Sequence, residues 1–388
     1  MNPKHYISKR SGKIVKQSSG YHAFIVNPLP PNPELIFDKE TIKLLAEAEQ
    51  MLGRLNAIAN LISDADLFVY LYVRKEALMS SQIEGTQCSL EDILTESNSK
   101  TSNADVEEVS NYVQAMNKGL KRLDELPISN RLIKEIHTIL MKGVRGANKT
   151  PGEFRTSQNG IGRPEANLET ALFVPPPTED VKTSMSDLEK YIHMNDDLSP
   201  LIRSSLIHAQ FETIHPFLDG NGRLGRLLIT FLLCHWGVLE KPLLYLSYFF
   251  KANRTEYYSK LMDIRTKGDW ESWVKFFLRG VIETAQIANQ TALDIHSLHE
   301  KDREKLKNNN APASVLKLFT AFCNFPVSTV PELMKLTHIS NQVTINRALV
   351  FLIDQKLVHQ ISEGKRNRKF SYKKYLEILT RDTIEEMG

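Results

Sequence analysis

Apolar residues recur at helical spacing over most of the chain. Between residues 39 and 62, Leu44, Leu45, Ala48, Leu52, Leu55, Ile58 and Ala59 return every three or four positions, the interval that lines one face of an α-helix. A second stripe, Phe68, Leu71, Tyr72 and Leu78, predicts a helix over 67–84 with Gly85 as its stop. Ser89 caps a short helix through Leu94, and further helices are expected near 106–123, 129–143, 180–193, 200–213 and 224–235. Asp269 caps one carrying Trp270, Trp273, Phe276 and Phe277, with the two tryptophans read as core, and a long helix follows to about Leu306.

The pattern breaks in three places. Residues 1–38, rich in Pro, Gly and Ser, read as an extended arm lying on the surface. Residues 151–177 are too long and too punctuated by Gly and Pro for a helix. Ala171, Leu172, Phe173 and Val174 within them suggest a short strand, and loops of this length usually carry function. After the linker KLKNNNAP the rhythm changes. Three short helices (313–323, 329–335 and 341–355) precede two strand-like runs, LVHQIS and RKFSYK, joined by EGKRN. That order is the plan of a winged helix-turn-helix, with 341–355 as the recognition-type helix. The expected division is 1–100 for the arm and first helices, 101–300 for a catalytic core and 311–388 for the winged module.

Composition narrows the function. A chain of 388 residues holds about two or three domains. With 49 Lys and Arg against 46 Asp and Glu, a polybasic coat over the whole chain is excluded. A local patch is not, since residues 356–374 hold seven Lys or Arg and one acid. Such a wing contacts phosphates or is simply solvated, and the module docks DNA or protein; both remain open. The three cysteines are far apart, and Cys234 and Cys323 sit in apolar runs as reduced core thiols would. The basic N-terminus lacks the apolar stretch of a signal peptide, and the longest apolar segment, 227–239, is too short to span a bilayer. The expectation is a cytoplasmic protein with no membrane partner; homodimerisation stays open.

The chemistry concentrates in His215-Pro-Phe-Leu-Asp-Gly-Asn-Gly-Arg-Leu-Gly-Arg226. A Gly-Asn-Gly turn opening a helix brings backbone N–H groups and a positive dipole end to one point, which suits an anion. Arg223 and Arg226 lie one turn apart on one face beside it, a clamp longer than one phosphate. Asp219 adds a carboxylate that beside phosphates holds Mg²⁺, and His215 is the residue here suited to proton transfer near neutral pH. Taken singly, His215 would be an interior histidine and Asp219 a turn residue. Their conjunction points to phosphoryl or nucleotidyl transfer. His208, on the preceding apolar helix, reads as a core residue.

HPFLDGNGRLGR fits the Fic motif, HxFx[D/E]GNGRxxR, and the chain resembles that family over roughly residues 67–280. Ser80, Glu84 and Gly85 in SSQIEGT are similar to the family's inhibitory motif, [S/T]xxxE[G/N], in the class whose inhibitory helix precedes the core. GEFRTSQNGIG…ALFVPPP resembles the target-docking flap, and FFKANRTEYYSKL the adenine-side segment. The resemblance implies a mainly α fold, a Fic helical core with a short β-hairpin flap, and AMP transfer from ATP and Mg²⁺ to a hydroxyl side chain of a target protein. It implies His215 as base, Asp219 as Mg²⁺ ligand, and Gly220, Asn221, Gly222, Arg223, Leu224, Gly225 and Arg226 around the phosphates. Tyr257 and Tyr258 would flank the nucleotide or pack in the core. Glu84 would inhibit by pairing with Arg226. Both arginines of GNGRxxR are kept, unlike in the phosphate-transferring Doc branch, which favours AMP transfer. The rival expectation is a DNA-binding regulator whose Fic core senses nucleotide or modifies only itself.

Overall fold

The computed structural model describes residues 2–61, 65–95, 104–162, 166–362, 364 and 368–384. It divides into two compact units, Met1–Gly53 with Tyr72–Ala285 and Arg54–Leu71 with Gln286–Gly388. In chain order the first elements are strands β1 (Gly12–Lys16) and β2 (His22–Val26), then helices α1 (Lys39–Leu61), α2 (Ala65–Ile83), α3 (Leu90–Thr95), α4 (Ala104–Leu123) and α5 (Asn130–Leu140). After the long loop come α6 (Thr178–His193), α7 (Pro200–Ile214), α8 (Asn221–His235), α9 (Leu246–Ala252), α10 (Arg254–Lys267) and α11 (Trp270–Asn308). No helix among the described residues is long and apolar enough to cross a membrane.

The larger unit is built around α7. Every residue from Leu201 to Ile214 is buried, including the polar Arg203, Ser204, Ser205, His208, Gln210, Glu212 and Thr213. Ser199 caps it, accepting from Leu201 N–H, and Pro200 occupies a position where no N–H is needed. Its polar side chains turn back onto backbone: Ser204 Oγ donates to Leu201 O at 2.8 Å and Ser205 Oγ to Ile202 O at 2.7 Å. α8 packs on α7, and α4 packs on α5 and α8. α4 and α8 approach so closely that a Cβ on Gly119 would lie 1.9 Å from Phe231 Cζ.

The N-terminal arm is a correction to the sequence reading. Instead of lying extended on the surface, it forms the antiparallel β1–β2 hairpin, paired from Gly12 opposite Val26 to Lys16 opposite His22. Ala23 and Phe24 are fully buried, and Phe24 N–H donates to Val174 O at 3.0 Å. The Phe24 ring lies 5.7 Å from Phe173 and 5.8 Å from Tyr6. Upstream, Ile7 and Ser8 N–H groups donate to Thr266 O, and Arg10 forks onto both oxygens of Glu271 at 2.8 and 2.9 Å. Two adjacent buried residues on β2 hide the alternation by which a half-buried strand is recognised.

The flap is narrow. Ile161 and Phe173 exchange both backbone bonds, at 2.8 and 3.0 Å, and make an isolated bridge. The short strand expected over Ala171–Val174 thus reduces to pairing at Phe173. Ala171, Phe173 and Val174 are buried, while Leu172 is 62% exposed. Asp269 does cap the following helix, accepting from Ser272 N–H at 3.1 Å. The two helices expected beyond it are one, α11.

In the smaller unit follow α12 (Ala313–Asn324), β3 (Val327–Thr329), α13 (Val330–Thr337), α14 (Gln342–Asp354), β4 (His359–Gln360), β5 (Lys369–Ser371) and α15 (Lys373–Ile384). The strands form an antiparallel sheet in the order β3–β5–β4, and α12 packs on α13 and α14. Asn341 caps α14, accepting from Val343 and Thr344 N–H groups. Strand β3 and helix α15 are additions to the sequence reading. Tyr372, just before α15, donates its hydroxyl to Asp302 at 2.7 Å. Of the wing cations, Lys365 and Arg366 lie outside the described residues.

Candidate active site

α7 ends and α8 begins across one short turn. α7 closes at His215, whose φ of 49° and ψ of 61° are left-handed, an uncommon place for a residue with a Cβ. The turn is braced by Asn221. Its Oδ1 accepts from Phe217 N–H at 2.9 Å, and its Nδ2 donates to Phe217 O at 2.8 Å. The Phe217 ring stacks on His137 at 3.8 Å. Gly152 N–H donates to His137 Nδ1 at 2.8 Å, so the proton sits on Nε2, which donates to Asp219 O at 2.9 Å. Burial, followed by the charges of Arg265 and Arg155, lowers the His215 pKa to about 4. The imidazole is therefore neutral near pH 7 and able to accept a proton.

Gly220 caps α8 with a φ of 76°, a conformation that glycine adopts without steric cost. A helix start offers N–H groups without intrahelical partners and the positive dipole end. A carboxylate lies beside it. A Cβ on Gly222 would lie 2.3 Å from Glu84 Oε1, and the same oxygen accepts from Arg226 Nη2 at 2.6 Å. Arg226 is 2% exposed. Its Nε donates to Ser80 Oγ and its Nη2 to Ser80 O, each at 2.9 Å. Burial pushes the Glu84 carboxyl up, but Arg226, Arg223 and His215 outweigh it and hold the pKa below the usual carboxylate range. Gly85, at φ 101°, closes α2, with Thr86 N–H bonded to Ser81 O at 3.2 Å.

Arg223 is also engaged. It forms a buried ion pair with Glu108 of α4, and its Nη2 lies 3.8 Å from Asp219 Oδ1. Asp219 Oδ1 accepts from Gly220 N–H at 2.8 Å, and Oδ2 lies 3.2 Å from Lys149 Nζ. Leu224 points into the core and gives its N–H to Gly220 O at 3.0 Å. Gly225 lets α7 approach, since a Cβ there would lie 2.4 Å from Glu212 Oε1. The two tyrosines part ways. Tyr257 is 1% exposed and donates its hydroxyl to His208 Nε2 at 2.9 Å, while His208 Nδ1 donates to Gly225 O at 3.0 Å. Tyr258 is 39% exposed. Burial raises its pKa, with Glu84 adding to the rise.

Residues 42–121 match the Fic/DOC family N-terminal model and residues 127–233 the Fic/DOC family model. The chain carries a Fic domain. The second match contains the whole α7–α8 turn and its arginines. Among curated relatives, a probable protein adenylyltransferase from Aquifex aeolicus is 26% identical over 202 residues, covering 50% of this chain and 56% of that protein. Protein adenylyltransferase Fic from Drosophila grimshawi is 30% identical over 156 residues, covering 40% of this chain and 29% of that protein. The chain thus spans less than two thirds of either relative. A Fic family protein from Desulfovibrio desulfuricans G20 shares the fold, with a TM-score of 0.57 at 21% identity over 87% of this chain and 97% of that one.

Around the α7–α8 turn the structure brings in residues that the motif does not name. Glu108, His137, Lys149 and Glu212 border it through the contacts above, and Arg155 and Arg265 through their charges on His215. Glu212 and Glu76 are buried carboxyls whose pKa burial raises to about 7. Glu76 accepts from Tyr112 Oη at 3.2 Å and from Ser247 N–H at 3.1 Å. A signal existed for Glu108: an acid amid the apolar positions Val106, Val109 and Tyr112 requires a buried cation.

Proposed function

We propose that this Fic domain is a protein adenylyltransferase, moving AMP from Mg²⁺-bound ATP to a Ser, Thr or Tyr hydroxyl of a target protein and of itself, and that Glu84 holds it off. The observation that carries the reading is the position of Glu84. A helix start with a fully buried arginine beside it is an anion site, and the chain's own carboxylate occupies it. His215, neutral and held at the near end of the same turn, supplies the base. The names of the adenylyltransferase relatives support the same class of reaction.

In this reading His215 takes the proton of the target hydroxyl and the oxygen attacks the α-phosphorus. The bond from that phosphorus to the bridging oxygen breaks, and pyrophosphate leaves. The α8 start and Arg226 stabilise the developing charge. Mg²⁺ enters as part of the substrate, and it needs one or two protein carboxylates beside phosphate oxygens; Asp219 fits that part. The flap would receive an extended target segment by backbone pairing, which reads shape more than sequence. Incubation with lysate and ATP labelled at the α- or the γ-phosphate tests the reaction. α-Label on a second protein that depends on the added protein and is lost with His215→Ala is expected; γ-label that depends on both in the same way refutes it.

The second reading, a DNA-bound regulator, draws on the smaller unit, whose helix and strand order suits a winged helix. Beside Arg347, however, the open face of α14 exposes Val343, Val350 and Ile353, which suits a protein partner better than phosphates. Duplex DNA retained by the protein at low salt, with binding that weakens steeply as salt rises, would favour DNA instead.

A further inference from the structure

Two buried guanidiniums outside the motif meet at the C-terminal end of α7. Arg155 donates Nε to His215 O at 3.0 Å and Nη2 to Pro176 O at 2.5 Å, and its own N–H to Pro216 O at 2.9 Å. Arg265 donates Nη2 to Glu212 O at 3.0 Å and Nε to Thr213 Oγ1 at 3.2 Å. The last carbonyls of a helix lack intrahelical donors and carry its negative end, so cations belong there. Each arginine also reaches the flap. Arg155 holds the carbonyl of Pro176 at its end, and the Arg265 guanidinium lies 4.1 Å from the centre of the Phe173 ring. The flap's bridge is made by Phe173 itself.

The left-handed turn at His215 needs such support, because a strained residue persists only where its surroundings over-determine it. We infer that Arg155 and Arg265 are positioning residues that lock the turn carrying His215 to the flap, so that the base and the target-docking edge are held as one body. This role presupposes His215 as the base of the proposed transfer. The charged groups facing the imidazole are Arg265 from α10, Arg155 from the first part of the flap segment and Glu84 from the end of α2. Burial first, and then the charges of these two arginines, keep it neutral.

Charge and geometry separate in two variants. Arg155→Lys keeps the cation and loses the fork; Arg155→Met loses both. The readouts are the NMR titration of labelled His215, assigned by comparison with His215→Ala, and amide exchange at Ile161 and Phe173. Arg155→Lys should leave the titration in place and speed exchange at both flap amides by roughly tenfold. Arg155→Met should speed it equally and raise the His215 titration by about one pH unit. Both should lower kcat for transfer while leaving the KM for ATP within about threefold of wild type. If Arg155→Met does not fold, Phe173→Leu, which removes the ring under Arg265, should show the same faster exchange at Ile161.

Folded Arg155→Met with wild-type exchange and titration would overturn the lock, as would variants that raise KM and spare kcat. Neither physical readout needs activity. Faster exchange and a raised titration in a protein that shows no transfer even in the Glu84→Gly background would sustain the lock and remove the adenylyltransferase reading. Lost transfer with both readouts unchanged would remove the lock alone.

Discussion

Replacing Glu84 by glycine takes the carboxylate off the α8 start and frees one contact of Arg226, without touching the two bonds that Ser80 makes to the same guanidinium. Arg226 therefore stays placed for a phosphate. A charge-assisted contact is worth ~1.5–3 kcal/mol, and each 1.36 kcal/mol is tenfold in rate, so its loss alone corresponds to roughly 10–150-fold. The Glu84 side chain keeps 31% of its exposure, and solvent screening puts the expected gain in the lower part of that range, roughly 10–50-fold. The assay is the initial rate of AMP transfer at saturating ATP in wild type, Glu84→Gly, Arg226→Ala and the double variant. Glu84→Gln serves as the control that keeps the helix intact, since glycine near a helix end loosens it. Arg226→Ala should be poorly active with or without Glu84. Equal rates in wild type and both Glu84 variants would refute the reasoning and leave Glu84 a helix-end residue.

His215→Ala should keep ATP binding and lose transfer by roughly 10²–10⁴-fold, the usual worth of a positioned base; near-normal transfer removes the mechanism. In the Glu84→Gly background, kcat/KM should hold as the pH falls through 6.5, because His215 is pulled down to about 4 and stays unprotonated until then. An acid limb centred near the ordinary histidine value contradicts this. Asp219→Asn should raise the Mg²⁺ concentration for half-maximal transfer by roughly tenfold or more, and superimposable Mg²⁺ titrations of the two proteins would dismiss the metal role. Gly119→Ala, which drives a methyl into Phe231, should lower stability by about 1–3 kcal/mol, read from the denaturant midpoint.

The helical frame was legible wherever burial falls on one face of a helix, as in α4, because that period survives in the sequence. The turn from His215 to Arg226 was legible for another reason: glycine, carboxylate and arginine at fixed spacing leave few structural alternatives. What escaped is long-range. Arg155 and Arg265 act on carbonyls 60 and 53 positions away, and nothing local to either residue marks it as a helix cap. Glu108 needs Arg223, and its partner is fixed only once α4 lies against α8. Tyr257 and Tyr258 are neighbours in sequence with opposite surroundings, a distinction made by His208.

The β1–β2 hairpin changes how the beginning of this chain should be handled. Phe24 meets the flap through its ring and its N–H, while Arg10, Ile7 and Ser8 tie the same stretch to Glu271 and Thr266. The hairpin is the foundation on which the flap stands. A protein lacking residues 2–38 is thus a flap variant and not a trimmed catalytic core. In the proposed reading, a fusion partner or a proteolytic nick at that end would act on target capture at a distance, through contacts that no sequence motif advertises.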